Sequence, residues 1–526
     1  MNKNSKITIL ETTILEINSL MLRHETDDLS ALEDGSLTII VTQKNVLREL
    51  YKYLQKLCSR KERIQGKLNV PTHSLSKAEV MRKLREHLTP AVWEFLAQAS
   101  LQAKKNGWHL YLVGGAIRDL LLADKCNNDL FIQDIDLVVD GPNQYADVGA
   151  GIELAKKLQA VYSEARLEIH GNFQTAALLC NDSTLDSLHV DIATARTEFY
   201  PYPASNPEVK ASSIWQDLYR RDFTINALAL ELTPPSSGEI LDFFGGLLDL
   251  EAKQIRVLHA NSFIEDPTRI FRGVRFAVRF GFEIETQTQE YIRYATSSGI
   301  YEHTTKVNKH VPALQTRLKN ELKHILENSH CRLVLQLLGS LGALKCIHPT
   351  LELDRQILLK LRLLDYCFHK LSYQVELVLW QMRLEVLIAH IKPQYRLVVI
   401  QNLQLYENEI KRLQGLDTVR AEIQVCLTNC KQPSQIVQLL RQYELPLLVL
   451  VLLHSPKILR KQIWHYLSRL MYVQPIINGN DLKKLGYKPG PLYRTMLDDL
   501  LFATLDGKIT NYNQAKDFLT QLYPKC

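Results

Sequence analysis

The spacing of apolar residues changes once along this 526-residue chain, near Leu250, and that change most narrows what it can fold into. Before it, short apolar runs alternate with amphipathic stretches. The pattern predicts a helix over Ala91–Lys105, a strand over Trp108–Val113, a helix over Ala116–Leu122 and a buried strand over Ile135–Val139. Two β-like runs follow at Thr175–Leu179 and His189–Ala193, then a polar, Pro-containing loop over Tyr200–Ser213 and a helix-like Thr224–Leu232. Beyond Leu250, leucines recur at helical spacing, as in Leu314–Leu326, Cys331–Leu341 and Ser434–Leu453. The expectation is an α+β chain, a sheet domain followed by an all-helical half. One core is too little for this length, because single cores stop growing near roughly 250–300 residues.

Hydrophobic residues at 46% and charged residues at 23% exclude a disordered or fibrous chain. The longest uncharged apolar run, Leu445 to Pro456, is shorter than the roughly 20 residues of a spanning helix. Glu11 and Glu16 interrupt the apolar N-terminal stretch, so no signal-peptide core is expected. Nine cysteines stand singly with no Cys-x-x-Cys pair, which reads as reduced thiols in a cytoplasmic compartment. The net charge of +6 hints at a polyanionic partner. Residues 1–90, with a charged helical stretch at Val46–Gln65 and a break at Pro71–Ser76, carry no recognisable site and form an extension of unknown role.

The sharpest constellation is Gly114-Gly115-Ala116-Ile117-Arg118-Asp119, followed by Asp134-Ile135-Asp136. Residues two apart in a strand share a face, so the two aspartates project together and repel unless a cation lies between them. A pair of Mg²⁺ ions serving displacement at phosphorus suits such a pair. A charged strand end in solvent is the plainer reading of Asp-x-Asp alone; the glycines, which let backbone approach a phosphate, and Arg118, which can reach its oxygens, shift the balance. Arg220-Arg221-Asp222 can pair a triphosphate and accept from a sugar hydroxyl, or Asp222 can be an N-cap. At Glu265-Asp266-Pro267 a helix start is equally natural. Yet Arg269, Arg272, Arg275 and Arg279 fall within about 120° of one helix face, backed by Ile270, Phe271, Val274, Ala277 and Val278. Unpaired, that stripe calls for an anion. His170, His189, Cys426 and Cys430 read as buried structural residues.

The ordered set Tyr111-Leu-Val-Gly-Gly-Ala-Ile-Arg-Asp119, Asp134-Ile-Asp-Leu-Val-Val139, Asp191-Ile-Ala-Thr-Ala-Arg196, Arg220-Arg-Asp-Phe-Thr-Ile-Asn226, Asp242-Phe-Phe-Gly-Gly246 and Glu265-Asp-Pro-Thr-Arg269 resembles the class II tRNA nucleotidyltransferases, a family that includes bacterial poly(A) polymerases. The resemblance covers about residues 90–330, with an echo at Asn478–Pro491. It implies a nucleotidyltransferase (polymerase-β-like) mixed-sheet head followed by an all-α neck, body and tail. The boundaries expected are 1–90 for the extension, 91–245 for the head, 246–330 for a neck with the base-reading motif, 331–475 for the body and 476–526 for a tRNA-binding tail.

The implied activity is template-independent transfer from CTP and/or ATP to the 3′ end of tRNA, as CCA addition or repair, with release of pyrophosphate. The alternatives are a bacterial poly(A) polymerase, or an enzyme adding only A or only CC. Asp134 and Asp136 would be catalytic and hold two Mg²⁺ ions. Gly115, Arg118, Arg221, Asp222 and Asn226 would bind the nucleotide, Asp266 and Arg269 would read its base, and Arg272 and Arg275 would follow the phosphates. Asp242, Gly245 and Gly246 would link head to neck, while Arg317 and Glu321 would form a structural pair. The Tyr200–Ser213 segment matches the family's loop tied to the switch from C to A, and its intact length leans toward an enzyme that adds A. The partners implied are tRNA and nucleoside triphosphates, with no membrane and no obligate protein partner.

Overall fold

A computed structural model describes residues 28–33, 36–42, 76–126, 134–141, 149–180, 188–200, 205–298, 312–371 and 377–524. The helical stretch expected at Val46–Gln65 lies outside them. The chain forms two compact units, one of residues 1–317 with 340–346, the other of 318–339 with 347–526.

In the first unit, β1 (Asp28–Glu33) and β2 (Ser36–Thr42) form an antiparallel hairpin. The main sheet has seven strands: β3 (His109–Val113), β4 (Asp134–Asp140), β5 (Arg166–His170), β6 (Thr175–Cys180), β7 (Leu188–Thr194), β10 (Leu228–Glu231) and β11 (Ile240–Asp242). Their spatial order is β11-β10-β3-β4-β7-β6-β5, with β4 and β7 parallel and every other pair antiparallel. Side chains alternate across the sheet, so Tyr111, Val113, Val138, Ala227 and Ala229 share one face with Ile214 and Leu218 of the helix Ile214–Tyr219 packed on it. Helices Pro90–Lys105, Gly115–Cys126 and Ala150–Val161 also pack against the sheet. Thr89 accepts from the Val92 N–H and Pro90 holds the first helical position, which starts the first of these where its sequence pattern does.

Three readings of local structure are corrected. The helix-like Thr224–Leu232 is a single 3₁₀ turn, Thr224–Asn226, followed by strand β10. A short apolar run fits either structure by periodicity, and here β10 is buried at all four positions between β3 and β11. The Tyr200–Ser213 segment is not all loop: β9 (Glu208–Ala211) pairs with β8 (Arg196–Phe199) as a hairpin. Strand structure also continues past Leu250, in the short parallel pair β12 (Gln254–Ile255) and β13 (Glu283–Ile284).

The second unit is helical among the described residues. The expected helix Ser434–Leu453 is two, Pro433–Leu440 and Leu445–His454, meeting at 114°. Pro446 explains the break, since proline fits a helix's first turn and cannot continue a preceding one. Leu448–Leu453 are all buried, and no single described helix is long and apolar enough to cross a membrane. Ile477, Leu482, Met496, Leu500, Ala503, Ile509, Ala515 and Leu519 form a separate core near the C-terminus. Cys426 and Cys430 are half-buried instead of core residues, and the six described cysteines are free thiols.

Candidate active site

The Gly-Gly turn ends β3 and brings three groups together. Gly114 has φ +70°, and its N–H donates to the Leu228 carbonyl of β10 at 3.1 Å. A methyl group at this position would lie 2.9 Å from Arg221 Nη1 and 4.0 Å from Asp136 Oδ2. Only a glycine tolerates both the dihedral and that approach. Asp136 is exposed and shares the face of Val138. Asp134 opens β4 two residues earlier, and its side chain lies outside the described residues. Asp191 of β7 stands directly across the parallel ladder from Asp136, which sequence spacing alone gave no means of seeing.

Around this turn runs a chain of polar contacts. Arg118 is 4% exposed; its Nε donates to Asp119 at 2.8 Å and its Nη1 to Asn226 Oδ1 at 2.5 Å. Its guanidinium lies 5.0 and 4.8 Å from the ring centroids of Phe276 and Phe280. Asn226 Nδ2 donates to Asp222 Oδ1 at 2.9 Å, and Arg272 Nη1 to Asp222 Oδ2 at 3.2 Å. Burial opposes the charge on Asp222, but Arg272 and the Asn226 amide outweigh it and hold the carboxyl below its usual range. Gly115 begins the helix that carries Arg118, with its Cβ position 3.4 Å from Arg118 Nη2.

Beneath Arg221 sits a carboxylate the sequence reading missed. Asp217 is fully buried; its Oδ2 accepts from Arg221 at 3.1 Å and its Oδ1 from Arg220 at 2.7 Å. Burial alone would raise its pKa, yet Arg220 and Arg221 prevail and lower it. Arg220 also reaches Glu198 of β8 at 2.8 Å, and Arg196 reaches the same oxygen at 3.1 Å. A carboxylate four residues before an arginine on one helix face was the available signal.

The base-reading candidates lie together at a helix start. Asp266 Oδ1 accepts from the Thr268 N–H at 3.0 Å and from the Thr268 hydroxyl at 2.6 Å, which is capping chemistry. Arg269 is 7% exposed, donating to Ser262 Oγ at 2.7 Å and to the Arg220 carbonyl at 3.0 Å. The arginine stripe on the helix Thr268–Phe280 is paired, contrary to expectation. Arg272 meets Asp222, Arg275 lies over Phe276, and Arg279 is 3.8 Å from Asp119. Asp242 accepts from the Gly246 and Leu247 N–H groups at 2.8 and 2.9 Å and so caps the helix Gly246–Glu251; Gly245 turns the chain at φ +79°. Arg317 Nε stands 3.5 Å from Asp266 Oδ2, a contact the sequence did not suggest, and Glu321 is buried one turn further along the helix of Arg317. His170 is exposed, and His189 is half-exposed 3.8 Å from Asp191, so neither is the expected buried histidine.

Gly114, Gly115, Arg118, Arg221, Asp222, Asn226 and Asp136 thus belong to one region. An exposed carboxylate beside a guanidinium and a backbone turn fits Mg²⁺, which takes one or two carboxylates and leaves its other positions to water and phosphate oxygens.

Residues 110–256 match the family described as the Poly A polymerase head domain. The chain is 31% identical over 89% of its length to an A-adding tRNA nucleotidyltransferase of Geobacter sulfurreducens, covering 51% of that protein. It is 28% identical over 82% of its length to an A-adding tRNA nucleotidyltransferase of Halalkalibacterium halodurans, covering 92% of it. The Thermotoga maritima CCA-adding enzyme complexed with tRNA superposes with a TM-score of 0.66 at 27% identity, over 84% of this chain and 98% of that one. The chain spans about half the length of the Geobacter relative it matches.

Proposed function

We propose that this chain is a class II tRNA nucleotidyltransferase and that it transfers AMP from ATP to the 3′ end of tRNA, releasing pyrophosphate. The observation that carries the reading is the convergence of the Gly114 turn, Arg221 and Asp136 within one van der Waals neighbourhood. Arg221 and the Gly114-Gly115 backbone would receive the triphosphate, with Arg118 set behind them by Asn226. The Asp136 carboxylate would face the phosphate to be attacked and orient the tRNA 3′-hydroxyl. Two Mg²⁺ ions held by Asp134 and Asp136 would supply charge stabilisation at the transferring phosphoryl group.

Asp266 and Arg269 would read the base. A carboxylate accepts from the exocyclic amine that adenine and cytosine share, and a guanidinium donates to the neighbouring ring nitrogen. Both side chains already have protein partners, so reading a base requires them to share or exchange those bonds. Adenine is favoured over cytosine as the working base because A-adding relatives align along most of this chain. The helical residues beyond 318 would hold the tRNA by its phosphates and shape. The domain scheme of head, neck, body and tail belongs to the same proposal.

The test is incubation of the protein with tRNAs ending before CCA, after C and after CC, each with labelled ATP or CTP. Label from ATP entering only the tRNA that ends in CC is expected. Incorporation of CTP would make it a CC- or CCA-adding enzyme, a long A ladder would make it a poly(A) polymerase, and no incorporation would overturn the reading.

A further inference from the structure

Arg317 has no place among the groups given to the nucleotide above, yet it bears on the one carboxylate oxygen that a base could use. Asp266 Oδ1 is occupied by the Thr268 N–H and hydroxyl, at 3.0 and 2.6 Å. That leaves Oδ2, and Arg317 Nε stands 3.5 Å from it. The Asp266 side chain is 11% exposed and that of Arg317 29%, so their attraction acts through protein more than through water. An aspartate turns readily about its terminal torsion, and a guanidinium on one oxygen fixes the plane of the carboxylate. The other arm of the same guanidinium reaches away: Arg317 Nη2 donates to the Ser205 carbonyl at 3.5 Å, and Ser205 is 2% exposed. One arginine therefore spans the base-reading carboxylate and the Ser205 carbonyl, three residues before β9.

We propose that Arg317 is the positioning residue that sets the Asp266 carboxylate for base discrimination. The proposal rests on the base-reading role given to Asp266 above. Arg317 acts through Asp266 and is given no contact with nucleotide. Its arm on Ser205 ties the setting of that carboxylate to the backbone just before β9. A plain stabilising ion pair would have none of these consequences for nucleotide choice.

The experiment compares the wild type with Arg317→Ala, Arg317→Gln, Arg317→Lys, Asp266→Asn and the double variant Arg317→Ala/Asp266→Asn, on tRNA ending in CC. Guanine carries a carbonyl where adenine carries its amine, so the readout is kcat/KM for ATP over kcat/KM for GTP, with Tm measured in parallel. The ATP/GTP ratio is expected to fall about tenfold in Arg317→Ala and in Arg317→Gln, mostly through KM for ATP. Arg317→Lys should restore part of it, because it returns a charge to Oδ2 without the fork that reaches Ser205. The double variant should lose no more than Asp266→Asn alone, as expected when one residue acts through the other. Arg317→Gln keeps the length of the side chain and decides the matter if the alanine variant fails to fold. A lowered Tm with a wild-type ratio in the soluble Arg317 variants, while Asp266→Asn loses selectivity, overturns the proposal alone. A wild-type ratio in Asp266→Asn removes the base-reading role and the proposal with it.

Discussion

Asp217 holds Arg221 from below: its Oδ2 accepts from Arg221 Nη2 at 3.1 Å while Arg220 occupies its other oxygen. The carboxylate is wholly buried, so its charge is sustained by these two cations, with Arg196 adding to them. Replacing it by asparagine takes the counter-charge from the partly buried Arg221, while Arg220 keeps only Glu198. Asp217→Asn should lose about 3–5 kcal/mol of stability, measured by urea unfolding, and should raise KM for ATP because Arg221 is no longer aimed at the turn. Unchanged stability and KM would mean that the arginines find other partners.

Gly114→Ala probes the turn itself. At φ +70° the new methyl group costs about 1–2 kcal/mol of backbone strain, and it would sit 2.9 Å from Arg221 Nη1. The variant is expected to fold with a modestly lower Tm and to lose most turnover as Arg221 is displaced. Wild-type kinetics would show that the approach of these groups carries no function.

Burial pushes Glu265 up from 4.5 to about 7, against the opposing pull of Arg269. The folded chain therefore keeps a proton that the unfolded chain has released, so this group's contribution to stability falls as pH climbs from about 4.5 to about 7 and levels off above that. His259, 3.6 Å away, is driven by burial down to about 3 and works in the opposite sense, but it is present in both proteins compared. The stability of Glu265→Gln minus that of the wild type should rise across this window. A difference independent of pH would place the Glu265 carboxyl at its ordinary value.

Binding of tRNA should weaken steeply with added salt, because releasing counterions from phosphates drives attachment to lysines and arginines. A flat plot of log Kd against log salt would remove tRNA as the ligand.

Where sequence and structure part, the reason is usually a partner distant along the chain. The strands at β3, β4, β6 and β7 were legible because their apolar runs are short and bounded by turn residues. β10 was misread as helix because what makes it a strand is its place between β3 and β11. The Gly-Gly turn and the Asp-x-Asp spacing marked the candidate site, while the place of Asp191 beside Asp136 comes from the register of a parallel pair. The arginine stripe was visible on the helix Thr268–Phe280, but its counter-charges Asp222 and Asp119 come from other elements. For Arg317 the near residue Glu321 suggested a local pair, and the additional contact with Asp266, 51 positions away, had no signal in the sequence.

The central claim is nucleotidyl transfer at the β4 carboxylates, and one measurement addresses it most directly. Purified wild type and Asp136→Ala are each given tRNA ending in CC, labelled ATP and Mg²⁺, with tRNA affinity and Tm measured on the same samples. The exposed position of Asp136 means its removal leaves the core intact. The account predicts label at the tRNA 3′ end for the wild type, and a loss of roughly 10³-fold or more in kcat for the variant, as expected for several kcal/mol of lost charge stabilisation, with Tm and tRNA binding close to wild type. Turnover by Asp136→Ala at the wild-type rate would contradict it.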